Sequence, residues 1–300
     1  MTTTSFLRHQ LATAWDNGAG QPLPARVSGL VRFGRELLGR HHSASGSPMV
    51  GSAVPDDEKL TVIVLNHKRP QNVGQIARYA LRCGFVGRMI VSNNSQAYRL
   101  ADRVRLQDPR LLLIDQPEPA GVGISLEVAR EHRSRYYLRV DDDIFLHPAQ
   151  LQWLYWSLRM SAQRPHGIFG AAFAPDKDPA QEWPFVHRRN VTAPIAILNG
   201  LFAFTREHLD EYFRLCGLLG ITNQRTLMNG EDIVLSFSGS QPPMVHNIGA
   251  VWECASEAKP GVALHQSRPR FYEERWKIYS ALQGLKPLAD AGGARHEGGH

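Results

Sequence analysis

From Leu60 onward the chain alternates short, continuous apolar runs with segments of helical period. Thr61-Val-Ile-Val-Leu65 is apolar without alternation, the pattern of a strand covered on both faces. Gln71 to Cys83 has helical spacing and follows Arg69-Pro70, where proline's fixed φ suits a first helical turn. Arg88-Met-Ile-Val91 is the next strand, Leu111-Leu-Leu-Ile114 a third, and Tyr136-Tyr-Leu-Arg-Val140 a fourth, with a helix at Val122 to His132 before it. Strands separated by helices of about a dozen residues predict βαβ units and a mostly parallel sheet flanked by helices. In such sheets ligands bind beyond the carboxyl ends of the strands. The polar clusters Asn66-His67-Lys68-Arg69, Asn93-Asn94 and Asp141-Asp142-Asp143 all fall at such ends.

The second half is less regular. Pro148 to Met160 reads as a helix, Ile168 to Phe173 as a strand, and Ala174 to Asn190 as a loop holding Trp183 and paired arginines. Ile195 to Thr205 reads as a strand or hairpin arm turning through Asn199-Gly200, and helices start at Arg206 and near Asn229. Phe271 to Leu285 is a last helix. Ahead of Leu60 lies a leader, residues 1–57, with Phe6, Leu7, Leu11 and Trp15 at helical spacing. Its second patch sets Leu30, Val31, Leu37 and Leu38 against Arg26, Arg32, Arg35 and Arg40. The expectation is a helical extension packed on the main domain or on a second copy as a homodimer. The sharper alternative is a basic helix lying on an anionic membrane surface. The organisation expected is therefore a leader and linker over 1–57, one main domain over 58–286, and a disordered Gly/Ala/His-rich tail over 287–300 holding His296 and His300.

Composition narrows the class. The 34 Lys+Arg against 28 Asp+Glu give +6 without a long run of one sign, which argues against a nucleic-acid partner. No stretch approaches the roughly 18 apolar residues of a membrane span. The three cysteines, Cys83, Cys216 and Cys254, are far apart, which excludes a disulfide scaffold and suits a reducing, cytoplasmic location.

The chemistry concentrates at Asp141-Asp142-Asp143. Side chains alternate along a strand, so Asp141 and Asp143 share one side and Asp142 takes the other. Two neighbouring carboxylates leaving a buried strand repel unless a cation separates them. Oxygen donors favour a hard ion such as Mn²⁺ or Mg²⁺. A metal-dependent nuclease or phosphotransferase also clusters aspartates in this way, but wants a second carboxylate cluster, which only Glu231-Asp232 offers.

Val62-Ile-Val-Leu-Asn-His-Lys-Arg-Pro70, Val91-Ser-Asn-Asn94 and Arg139-Val-Asp-Asp-Asp-Ile144 together resemble a nucleotide-sugar transferase of the GT-A fold, the aspartate triplet matching its D-x-D motif. Within that fold the chain is most similar to exostosin-like N-acetylhexosaminyltransferases and to bacterial heparosan-type N-acetylglucosaminyltransferases. Asn229-Gly-Glu-Asp-Ile233 matches the former group's helix start, while its Tyr-Asn-Arg after the first strand is replaced here by Asn-His-Lys-Arg.

The resemblance implies a transfer of GlcNAc or GalNAc from a UDP-sugar to a glycan or lipid-linked glycan acceptor, retaining, with Mn²⁺ or Mg²⁺, at the inner face of the membrane if the leader touches it. Asn66 and Arg69 would contact the uracil end beside Asn93 or Asn94, and Arg130 would reach the nucleotide or donor sugar. Asp141 and Asp142 would bind the nucleotide-sugar, Asp141 at the ribose, and Asp143 would hold the metal, with Asp141 and His265 as further ligands. Asp232, with Glu231, would orient the acceptor; in an inverting relative Asp232 would be the general base. Arg268 or Arg270 would clamp the departing diphosphate. Trp183, Trp252 and Asn199-Gly200 are acceptor candidates, whereas Trp153 and Trp156 are expected in the core or an interface.

Overall fold

The computed structural model describes Val27 and residues 54–179, 182–249, 251–253 and 268–285. The chain runs β1 (Leu60–Asn66), α1 (Pro70–Leu81), β2 (Val86–Asn93), α2 (Leu100–Arg103), β3 (Leu111–Asp115), α3 (Ile124–Glu131), β4 (Tyr136–Asp141), β5 (Ile144–Phe145) and α4 (Pro148–Met160). It continues with β6 (His166–Gly167), β7 (Phe169–Phe173), β8 (Phe185–Arg189), β9 (Ala193–Pro194), β10 (Ile197–Leu198), β11 (Leu201–Thr205), α5 (Arg206–Leu218), α6 (Glu231–Ser236), β12 (Met244–Val245), β13 (Trp252–Glu253) and α7 (Phe271–Leu285). The architecture is mixed α/β, with a large, mostly parallel sheet flanked by helices. The leader, apart from Val27 and residues 54–57, lies outside the described residues, as do His265 and the tail beyond 285.

Two compact units are present. The first holds residues 54–119 and 140–152, with 251–253 and 268–269. Here β3, β2 and β1 lie side by side, all parallel. Every residue of β1 is buried, as its unbroken apolar run requires. Helix α1 covers β1 and β2 with Val73, Ile76, Ala77 and Ala80. Its first residue is Pro70, whose missing N–H would have had no helical partner at that position. A short antiparallel pair, β5 with β13, sets Phe145 opposite Trp252.

The second unit holds residues 120–139, 153–179, 182–249 and 270–285. It contains the order β4-β11-β6-β12-β9 and a separate sheet β10-β7-β8. Tyr137 of β4 and Phe204 of β11 stack at 5.2 Å in its core. The strand expected from Ile168 to Phe173 forms as β7, Phe169–Phe173, and a separate two-residue strand precedes it across a bend at Ile168. Residues His166–Gly167 pair with β11, and Phe169–Phe173 pair with β10 and β8. The arm through Asn199-Gly200 breaks in the same way, with Gly200 at φ +64°. Two successive strands thus pass from one sheet to the other at facing bends. At Gly170 a Cβ would lie 1.9 Å from Ile195 Cδ1, so the approach of β7 to the 195–197 stretch needs glycine.

One expectation is overturned. Ala174 to Asn190 is not all loop, because Phe185–Arg189 forms β8, antiparallel to β7. Four of its five residues are exposed, so it lacks the apolar alternation that marks a half-buried strand.

Candidate functional site

In the first unit the three parallel strands end in register. Asn66 pairs with Asn93, and Asn93 with Asp115, so three polar side chains form a row across the carboxyl edge. The row is knit internally. Asn93 Nδ2 donates to Asp115 Oδ1 at 2.9 Å and to the carbonyls of Ser95 and Tyr98, and Asp115 Oδ1 also accepts from the Leu100 amide at 3.0 Å. These bonds shape residues 93–100 into a loop that brings Tyr98 back over β1. The Tyr98 hydroxyl donates to Asn66 Oδ1 (2.9 Å) or to the His67 carbonyl (3.0 Å). Burial pushes that hydroxyl up to about 12, so it is protonated at neutral pH and available as a donor.

The aspartate triplet divides at the end of β4, with Asp141 the last strand residue and Asp142 and Asp143 in the turn that follows. Asp142 is buried, while Asp141 and Asp143 are half-buried. Asp142 Oδ2 accepts from Asn66 Nδ2 (3.0 Å) and the His67 amide (3.0 Å), and Oδ1 accepts from Arg69 Nη1 (2.7 Å). Its backbone carbonyl takes Asn72 Nδ2 at 2.8 Å. Arg69 reaches Asp143 with its other arm, Nη2 to Oδ2 at 3.2 Å. Asp142 thus locks the β1–α1 turn, and Arg69 joins two members of the triplet. Five residues named from sequence, Asn66, Arg69, Asn93, Asp142 and Asp143, are brought together here. Tyr98, Asn72 and Asp115 join them unannounced by sequence.

Asp141 and Asp143 offer carboxylate oxygens, the chemistry Mn²⁺ and Mg²⁺ prefer. Among the described residues, however, no group of three or more His, Cys, Asp or Glu side chains is placed to hold a metal ion. Two carboxylates fit such an ion only with phosphate oxygens and water completing its shell.

The second unit carries another cluster. Asn229 is followed by Gly230 at φ +91°, a left-handed turn that starts α6 with Glu231 and Asp232 in its first turn. Both acids are buried. Arg275 of α7 grips Asp232 by two parallel bonds, Nη1 to Oδ1 at 2.9 Å and Nη2 to Oδ2 at 2.8 Å. Nη1 also donates to Asn229 Oδ1 at 3.1 Å, and Asn229 Nδ2 holds the Phe271 carbonyl at 2.9 Å. With its amide turned to satisfy both ends, Asn199 Nδ2 donates to Asp232 Oδ2 (3.3 Å) and to the Leu198 carbonyl (3.0 Å). Glu231 stands 3.7 Å from Arg139, whose Nη1 also donates to the Gly200 carbonyl. The Arg275 guanidinium lies 5.7 Å from the centre of the Trp183 ring.

Sequence reasoning did not find Arg275 or Arg139. Arg275 sits among Glu273, Glu274 and Lys277, which read together as a solvated helix face. Arg139 did leave a signal, a lone charge inside the apolar run Tyr-Tyr-Leu-Arg-Val. Other expected residues lie apart from these clusters or are differently exposed. Arg130 is exposed, pairs with Glu127 at 3.4 Å and stacks 4.0 Å over Phe213. Arg270 is exposed and pairs with Glu273, and Arg268 is half-buried. Asn94 is buried, with its amide donating to the Asn66 carbonyl at 2.8 Å.

No family model matches the chain, and no curated protein matches it. Among solved structures it is similar to the crystal structure of GalNAc-T7 with UDP, GalNAc and Mn²⁺, at TM-score 0.52 and 10% identity, over 76% of this chain and 48% of that one. It is also similar to S. aureus TarS 1-349, at TM-score 0.48 and 13% identity, over 78% of this chain and 67% of that one. The chain therefore spans about half the length of the GalNAc-T7 chain. The first likeness shows the fold, which is of the GT-A type.

Proposed function

We propose that the chain transfers a sugar, GlcNAc or GalNAc, from a UDP donor to a glycan or lipid-linked glycan acceptor, with a divalent cation at Asp141 and Asp143. The observation that carries this reading is the tie of Asp142 to Asn66, His67 and Arg69. It fixes the triplet at the end of β4 and spends the middle aspartate on structure, so that the two half-buried carboxylates are those with the oxygen chemistry a cation needs. UDP and Mn²⁺ in GalNAc-T7 are consistent with such a role in this fold.

In this reading the row Asn66, Asn93 and Asp115, with Tyr98 and Asn94, forms the floor for the nucleotide, and Arg69 steadies the aspartates. A cation bound by Asp141 and Asp143 would offset the negative charge of the diphosphate as it leaves. His265, Arg268 and Arg270 remain proposals for the same task from the C-terminal region, as Arg130 does for the nucleotide. The bidentate hold of Arg275 argues against Asp232 as a base and for an orienting role exerted through the side chains it positions, Arg275 and Asn199. A base must offer a lone pair to the acceptor hydroxyl, and its oxygens already accept from Arg275, Asn199 and the Ile233 amide. That favours retention. A nuclease or phosphotransferase with a second metal is less well supported, because Glu231 and Asp232 face Arg139 and Arg275.

The test is calorimetric titration of UDP into the protein with Mn²⁺ and with chelator, repeated on Asp143→Ala and Asp143→Asn. Metal-dependent binding lost in both variants supports the donor site, and a panel of UDP-sugars then identifies the sugar. No binding under any condition sinks the reading.

A further inference from the structure

Helix α4 turns an unusual face outward. Its inner side, Leu151, Leu154, Tyr155 and Leu158, is buried. Its outer side, where a solvated helix normally carries charge, presents Trp153 (57% exposed), Trp156 (37%) and Met160 (82%). The spacing of three and then four residues puts these side chains in one stripe. Arg159 lays its guanidinium 4.7 Å over the Trp156 ring, which keeps a cation at the rim of the apolar surface. Arg164 follows the helix, and no acidic residue occurs anywhere from 148 to 164. An exposed stripe of two tryptophans and a methionine, with Arg159 at its rim and no acid on its own segment, matches an anionic, partly apolar surface. Tryptophan rings favour the boundary between headgroups and acyl chains, and arginines there meet lipid phosphate.

We propose that the 153–160 face of α4 is a peripheral membrane contact, docking the protein on a bilayer bearing anionic headgroups. The inference stands on this helix alone and does not depend on the transfer reaction. It rests on other residues than the leader's expected membrane contact.

The full chain is tested by co-sedimentation with vesicles of phosphatidylcholine alone and of phosphatidylcholine mixed with phosphatidylglycerol. Wild type is expected to bind the mixed vesicles more strongly than the neutral ones, and raised salt should weaken that binding. Trp153→Gln combined with Met160→Gln, with unchanged far-UV circular dichroism, should lower partition about tenfold or more. Acyl-brominated lipid should quench wild-type tryptophan emission, and less so in Trp153→Phe, a readout that holds if the double variant misfolds. Absence of wild-type binding to mixed vesicles overturns the proposal. So does undiminished binding by a folded double variant. A wild-type dimer in light scattering that becomes monomeric in the double variant, without vesicle binding by either, also overturns it and assigns the face to a second copy.

Discussion

Asp232 and Arg275 meet through two parallel N–H···O bonds of 2.9 and 2.8 Å while both side chains are more than nine-tenths buried. A buried pair of this kind contributes less through its own attraction than it costs when one partner is removed, because the remaining charge stays out of water. Arg275→Ala is therefore expected to destabilise the protein by about 3 to 5 kcal/mol. Replacing both partners by apolar residues, Asp232→Leu with Arg275→Met, should recover much of that loss. Urea unfolding of the single and double variants measures it.

Tyr98 fastens the 93–100 loop to the end of β1 by one hydroxyl shared between Asn66 and His67. Tyr98→Phe keeps the ring and removes the donor, so it should lower stability by about 1 kcal/mol, the net value of an ordinary hydrogen bond. Hydrogen exchange should rise in the loop and at the β1 end while the middle of β1 stays protected.

Gly230 holds φ +91°, and a Cβ there would stand 2.5 Å from Ile278 Cδ1. Gly230→Ala adds a backbone penalty of about 1 to 3 kcal/mol to that clash. Ile278→Ala in the same chain should relieve the steric part alone. A thermal melt of the pair that remains below Ile278→Ala would separate the two costs.

His166 and His246 set an acid limit. His166 Nε2 stands 2.8 Å from the Ser161 carbonyl, which can only accept, so that nitrogen carries the proton in the neutral ring. Nδ1 then accepts from His246 Nε2 at 2.8 Å. Protonating His166 would force His246 to move its proton from Nε2 so that it can accept. Burial first, then the neighbouring His246, Arg164 and His208, brings His166 down from 6.5 to about 4, while burial and Arg164 lower His246 as well. The unfolded chain binds the proton more readily, so stability is full above pH 6.5 and falls as pH drops toward about 4. The loss attributable to His166 is up to about 3 kcal/mol. His166→Asn should flatten stability against pH across that window, even if the protein is weaker at pH 7.

Much of the first unit was legible because β1 is buried along its whole length by an unbroken apolar run, and β2 carries a shorter run of the same kind. The expected separation of Asp142 from Asp141 and Asp143 agrees with their burial, although β4 ends at Asp141 and a turn places the other two. Which side faces inward depends on what lies across the turn, and Asn66, His67 and Arg69 are some 70 residues away. Strand β8 was hidden by its exposure, since Phe185 is its one buried residue. The division at Asn199-Gly200 was hidden for the opposite reason, because an apolar run reads the same whether it serves one sheet or two. Arg275 was missed because charge on a helix of mixed polarity gives no sign of which turn is buried.

The facing bends at Ile168 and at Asn199-Gly200 leave the chain almost no room for length variation. Side chains alternate with a period of two, so one residue inserted at either bend would invert every following position on its strand. At the second bend the inverted residues would include Phe202 and Phe204, both wholly buried. The register of the small sheet, the packing of β11 and the placement of Asn199 beside Asp232 are thus fixed by the same count of residues. Natural variants of this chain should change length in the 174–184 connection, where the backbone runs between strands, and keep both bends at constant length.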